Sequence, residues 1–199
     1  MQIIIISGPS GSGKTTLAKK IFKRFKNGII LNTDNYYKTG IISKILSKTI
    51  TSYFDRKISF NYKLFIKDVD FILKNGFSNF SYKYNFKTKS LKKKYKKTKK
   101  IRFVIVEGIF GKEILDSWPS NNCILMELKT NKKSCMKRVI KRDFIERGKT
   151  KFLAKRDFLK GWEIFHKKKT NSRNVFKRII IRNKNDKSLL VKKITTIVN

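Results

Sequence analysis

The sequence predicts an α/β fold of three layers, with a parallel sheet of about five strands lying between helices. Three observations predict it. Short apolar runs at Gln2 to Ser7, Ile29 to Asn32, Arg102 to Val106, Cys123 to Leu128 and Arg178 to Arg182 suit strands buried on both faces. Segments with helical spacing separate them, so strands and helices alternate as a parallel sheet requires. The first strand also runs straight into a glycine-rich loop, GPSGSGKT at residues 8–15, which opens the first helix.

Taken in order, Ile3 to Ile6 is too short for a signal-peptide core and reads as the first strand of a cytoplasmic protein. No apolar span long enough for a membrane follows it. Lys14 to Phe25 carries Leu17, Ile21 and Phe25 at helical spacing, Gly28 punctuates, and Asp34 lies just past the second strand. Ile41 to Tyr53 and Tyr62 to Asn75 read as helices, the second closed by Gly76. Between Phe77 and Phe86 the aromatics Phe80, Tyr82, Tyr84 and Phe86 alternate, which predicts a hairpin or extended lobe. Asn131 to Arg147 reads as a long basic helix closed by Gly148, Phe152 to Lys168 as another, and Ser188 to Val198 as a terminal amphipathic helix. The length of 199 residues fits one domain over 1–199, with a small lobe at about 38–100 and a lid at about 138–150.

Fifty basic residues against 13 acidic ones leave a net charge of +37, which draws polyanions. The same chain is rich in Ile, Asn, Phe and Tyr, so a compositional origin for the charge is the simpler reading. Cys123 and Cys135 lack metal-ligand spacing and read as reduced, buried thiols. A single histidine, His166, gives histidine-based catalysis little to work with.

Residues 8–15 match GxxxxGK[ST] in the required context, after a strand and before a helix. A polyphosphate needs inward-turned backbone N–H groups, which glycines permit, and a positive helix end, which the following helix supplies. Gly8, Ser10, Gly11, Ser12, Gly13, Lys14, Thr15 and Thr16 are therefore expected to cradle ATP or GTP. Lys14 would reach the outer phosphates and Thr15 would ligate Mg²⁺.

Transfer to an acceptor hydroxyl needs a carboxylate at the acceptor and cations over the phosphates. Asp34 and Glu107 both end strands at the carboxyl edge of the sheet, beside the glycine loop. Arg138 and Arg142, four residues apart on one helix face, and Arg147 beyond them suit a lid.

These residues resemble the uridine kinase branch of the P-loop kinases over most of the chain. LNTDNYYK (31–38) is similar to the segment whose aspartate activates the acceptor hydroxyl, which implies Asp34 as base and Tyr37 beside the acceptor. YFDRKISFN (53–61) implies Asp55 as a ribose-hydroxyl contact, and YNFKTKS (84–90) implies Tyr84 and Phe86 at the nucleoside base. VIVEGIF (104–110) implies Glu107 as the metal-side carboxylate, and KRDFIERGK (141–149) implies phosphate-binding roles for Arg142 and Arg147. The resemblance thus implies a kinase of uridine or cytidine in nucleotide salvage.

The departures fall in the acceptor lobe. Lys89 stands where the family's base-contacting histidine falls, Asn85 replaces an aspartate, and Lys57 and Ile58 replace a proline and an aspartate. Lys89 keeps open a sibling kinase with an anionic acceptor. Lys87 to Lys100 holds nine lysines in fourteen residues with one aromatic, Tyr95, which is a poor stacking platform. A solvated surface is the preferred reading there, and a nucleotide-dependent nucleic-acid-binding protein is the rival from another class. RDFLKGWEIF, residues 156–165, reads as a variant lid helix or, through Trp162, as core. Self-association is compatible with all of this.

Overall fold

The computed structural model describes residues 1–25, 27–116, 123–167, 177–182 and 186. The chain runs β1 (Gln2–Ser7), α1 (Lys14–Phe25), β2 (Gly28–Asn32), α2 (Ile41–Thr49), α3 (Tyr62–Asn75), β3 (Ser78–Asn85), β4 (Ser90–Thr98), β5 (Phe103–Gly108), α4 (Gly111–Asp116), β6 (Cys123–Leu128), α5 (Lys132–Arg147), α6 (Lys151–Lys167) and β7 (Lys177–Ile181). Five strands form a parallel sheet in the order β2-β5-β1-β6-β7, and β3 and β4 form a separate antiparallel hairpin.

Strand alternation divides the core into two layers. Ile4, Ile6, Ile105, Ile124 and Met126 point to one face, where Leu17, Ala18 and Ile21 of α1 meet them. Ile3, Ile5, Leu31, Val104 and Val106 point to the other, against Phe65, Val69 and Ile72 of α3 and a group of aromatics. The aromatics on that face join the sheet to the lobe, so packing the core also seats the hairpin beside the carboxyl edge. Among the described residues no helix is long and apolar enough to cross a membrane.

The five expected strands and the α/β layering are present, and two local expectations are corrected. The helix expected over Ile41 to Tyr53 stops at Thr49, because Ile50 is extended and Ser52 is left-handed at φ 56°. The chain then makes a 3₁₀ turn at Tyr53–Asp55, which buries Tyr53 and Phe54. A short helix, α4, follows β5 where none was expected. Lys168 and the terminal helix expected at Ser188 to Val198 lie outside the described residues.

Candidate active site

Asn131 starts α5 by accepting from Lys133 and Ser134 N–H, and Gly148 ends it in the left-handed conformation. Cys135, Val139 and Asp143, at four-residue intervals, form its buried face. That face lies against the glycine loop, and Arg138 Nη1 donates to the Gly11 carbonyl at 3.0 Å. Gly11 itself, at φ +79°, would place a Cβ 2.6 Å from the Cys135 carbonyl. Only glycine lets the loop sit this close to α5.

Within the loop, Ser12 N–H bonds the Pro9 carbonyl at 3.2 Å. Lys14 is buried and its Nζ donates to the Gly8 and Pro9 carbonyls, both at 2.9 Å. Burial lowers its pKa, opposed by the nearby Glu107 and Asp34. Ser10 lines the neighbouring cavity, the Ser12 hydroxyl is buried without a protein partner, and Thr16 is exposed in the first turn of α1. Thr15 Oγ1 donates to Glu107 Oε1 at 2.9 Å. Glu107 is 2% exposed, and burial raises its pKa while Lys14 opposes the rise. A hydroxyl hydrogen-bonded to a carboxylate whose charge is felt by a buried lysine offers hard oxygen donors of the kind Mg²⁺ takes alongside phosphate oxygens. The residues present therefore fit a metal-bound nucleotide.

Asp34 sits in a 3₁₀ turn after β2 whose cap is Asn32, since the Asn32 side chain accepts from Asp34 N–H at 2.7 Å. The Asp34 carboxylate is thereby left for other partners. Its Oδ1 lies 3.2 Å from the Tyr37 hydroxyl and its Oδ2 lies 3.5 Å from Arg147. Tyr37 also donates to the Phe54 carbonyl at 2.9 Å, and burial, reinforced by Asp34, raises the phenol's pKa so that it stays neutral.

Tyr37, Phe54, Tyr84 and Phe86 meet edge to face, with ring centroids 4.9–6.0 Å apart. The Arg147 guanidinium covers the Phe86 ring at 3.6 Å, and Lys89 Nζ stands 5.1 Å over Phe54 while bonding the Phe86 carbonyl. One cavity is lined by Ser10, Asp34, Tyr37, Asp55, Lys89, Arg142 and Arg147, and a second by Thr15, Asp34, Tyr84, Phe86, Arg142 and Arg147. Every side chain singled out from the sequence for the acceptor or the phosphates thus lies at one edge of the sheet.

Sequence reasoning missed three contributors. Asp143, 3% exposed, binds Arg142 at 2.8 Å and Arg147 at 3.4 Å and stands 3.9 Å from Lys149. Asp157 on α6 holds Lys149 at 2.6 Å, and its backbone carbonyl accepts from Ser52. Gly161, in mid-helix, lies so close to Asp55 that a Cβ there would come within 2.5 Å of the carboxylate. Asp143 was visible within the quoted RDFIERG, but α6 offered only a weak match. Trp162 packs on Phe158 and also lines the first cavity, so it serves both core and site.

A glycine loop between strand and helix, at the carboxyl edge of a parallel sheet and under a helix rich in arginine, defines a P-loop phosphotransferase that uses a nucleotide. The sequence model of the Phosphoribulokinase / Uridine kinase family matches residues 3–157. The chain belongs to that family. It is 30% identical over 152 residues to a uridine kinase of Clostridium novyi, covering 74% of this chain and 71% of that protein. Against a uridine kinase of Clostridium perfringens it is 29% identical over 184 residues, covering 88% and 84%. In fold it is similar to a protein described as a fructose transport system kinase from Silicibacter sp. TM1040, with TM-score 0.62, 13% identity and coverage of 89% and 88%. A gluconokinase from Sinorhizobium meliloti 1021 shares the fold at TM-score 0.54 and 11% identity, covering 99% and 91%.

Proposed function

We propose that this protein transfers the γ-phosphoryl group of a Mg²⁺-bound nucleoside triphosphate to the 5′-hydroxyl of a pyrimidine nucleoside, uridine or cytidine. The observation that carries the reading is the charge balance of the acceptor cavity. Its acidic side chains are Asp34, Asp55, Asp143 and Asp157, and its basic ones are Lys89, Arg142, Arg147 and Lys149. Arg142, Arg147 and Lys149 are held by Asp143, Asp34 and Asp157. Balanced charge over an aromatic floor favours a neutral, flat acceptor over an anionic one.

The bound nucleotide supplies the phosphoryl group, and Mg²⁺ supplies charge neutralisation. Asp34 orients the acceptor hydroxyl and takes its proton as the new O–P bond forms and the bond to the leaving diphosphate breaks. Tyr37 fixes Asp34 from one side. Arg147 leaves its contact with Asp34 to meet developing charge, and Arg142 and Lys14 stand ready for the same role. Asp55 accepts from ribose hydroxyls, the rings of Tyr84 and Phe86 cover the base, and Lys89 donates to a base carbonyl in place of the family's histidine. Thr15 and Glu107 would hold the metal, which would supply charge neutralisation at the phosphates.

Relatives named uridine kinase support the substrate class, and the fold neighbours named for sugars show why it needs a direct test. Purified protein given labelled ATP and a panel of acceptors is expected to phosphorylate uridine and cytidine ahead of gluconate, fructose and phosphorylated sugars. Preference for a sugar or an anionic acceptor would replace the nucleoside reading while leaving the phosphotransferase class intact.

A further inference from the structure

The hairpin carries charge beyond the candidate active site, since Lys93 to Lys100 line neither of its two cavities. From Phe71 to Val106 the chain contains no Asp or Glu, and none of Lys92 to Lys100 forms an ion pair with a described residue. The register pairs Lys83 with Lys92 and Ser81 with Lys94, and alternation adds Lys96 to the same face. These side chains sit on the hairpin face opposite Phe80, Tyr82 and Tyr84, where Lys83 and Lys92 border the cleft of Thr15 and Asp34 and Lys96 borders a cavity with Phe22 and Asn32. Lys83, Lys92, Lys94 and Lys96 are all exposed. We propose that this face is a binding track for single-stranded nucleic acid, independent of the acceptor assignment above.

The placement of the lysines, beyond their number, carries the argument. Lys92 opens onto the catalytic cleft with Thr15 and Asp34. At the far end of β4, Lys97, Lys99, Lys100 and Arg102 line a cavity with Asn27 and Asn79 and no acidic side chain. From Lys92 to Lys97 along β4 the row is about 17 Å long, with same-face lysines roughly 7 Å apart. Like charges in such a row repel unless a counter-charge lies along them. A single small anion would use one or two of them, whereas an extended phosphodiester chain places a charge at every step. Beyond the Lys83–Lys92 pair the row follows β4 alone, which suits a single strand. Its face offers no large apolar side chain to enter a lipid surface, and the exposed Tyr95 projects from the other face. With no row of aromatics to stack bases, binding is electrostatic and indifferent to sequence.

The test uses the full chain and a 5′-phosphorylated, fluorescently labelled oligoadenylate, which offers no 5′-hydroxyl, titrated by anisotropy over a salt series. The triple variant Lys94→Glu, Lys96→Glu, Lys97→Glu is compared with Lys20→Glu, Lys23→Glu, Lys48→Glu, which removes the same charge from exposed positions on α1 and α2. The hairpin triple is expected to bind more than about tenfold more weakly and to lower the slope of log K against log salt by about 2, at about 0.7 per lost phosphate contact. The control triple stays within about threefold, and both keep wild-type kinase activity. Equal losses in the two triples would make the affinity a property of bulk charge and overturn the track. Wild-type binding that is absent at physiological salt, or binding to phosphatidylserine vesicles that is tighter than to the oligonucleotide and equally lost in the hairpin triple, would do the same. If the glutamate triple fails to fold, the corresponding glutamine triple carries the same prediction with a smaller loss.

Discussion

Asp143, on α5, and Asp68, on α3, are both buried carboxylates, 3% and 5% exposed, yet their surroundings differ completely. Asp143 is enclosed by Arg142, Arg147 and Lys149. Asp68 sits on α3 beside the Tyr36 and Tyr82 phenols, with Lys93 and Lys67 at longer range. Burial raises its pKa to about 6, which the Tyr36 phenol and the two lysines offset only in part. α5 thus gathers cations around an acid, while α3 holds an acid that would rather be neutral. At the phosphate edge geometry follows from charge, and in the lobe it follows from aromatic packing.

The contrast makes predictions of decreasing size. Asp34→Asn keeps the shape at the junction of the two regions and removes the base, so kcat is expected to fall by about 10³ while nucleotide affinity holds. Steady-state kinetics with nucleotide titration check it, and turnover near wild type would strip Asp34 of that role. Asp143→Ala leaves three cations facing one another, and should lower stability by about 3 kcal/mol in chemical denaturation. A change below about 1 kcal/mol would mean that solvent already screens the knot.

Lys89→Ala tests the lobe alone. Losing a charged donor to the base should raise the acceptor KM by about tenfold and leave the nucleotide KM unchanged. A matched rise in both constants would place Lys89 with the phosphates instead. The smallest effect is at Asp68. Its folded pKa lies above the unfolded value of 3.8, so the folded state binds the extra proton and stability is lost as pH rises from about 4 through 6. Asp68→Asn should therefore gain about 1 kcal/mol at pH 8 and almost nothing at pH 4, read from denaturation midpoints. Equal gains at both pH values would show that packing, not ionisation, governs the site.

The phosphate edge was the more legible region because its chemistry is local. GPSGSGKT is contiguous, and Asp34 and Glu107 each end a short apolar strand, so their positions at one sheet edge followed from the topology. The lobe's geometry depends on partners far apart in the chain. Ser52 turns left-handed and bonds the backbone of Asp157, a hundred residues on, and nothing in the local helical spacing of residues 41–53 signals that turn. The lysine run hid a regular strand because its two faces carry nearly the same residue type, which erases the alternation that marks a strand. The ion-pair role of Asp143, α4 and the α6 contribution went unseen because each acquires its meaning only from tertiary neighbours.

Gly161 carries a further consequence. A glycine inside a helix gives up about 1 kcal/mol relative to alanine, so α6 is weaker than it need be. The weakness is the condition for Asp55 to rest against its backbone. Selection for heat resistance would favour a methyl group there, and the same methyl would push aside the Asp55 carboxylate, which is proposed above to meet the acceptor. On that proposal, robustness and acceptor recognition compete at a single backbone position.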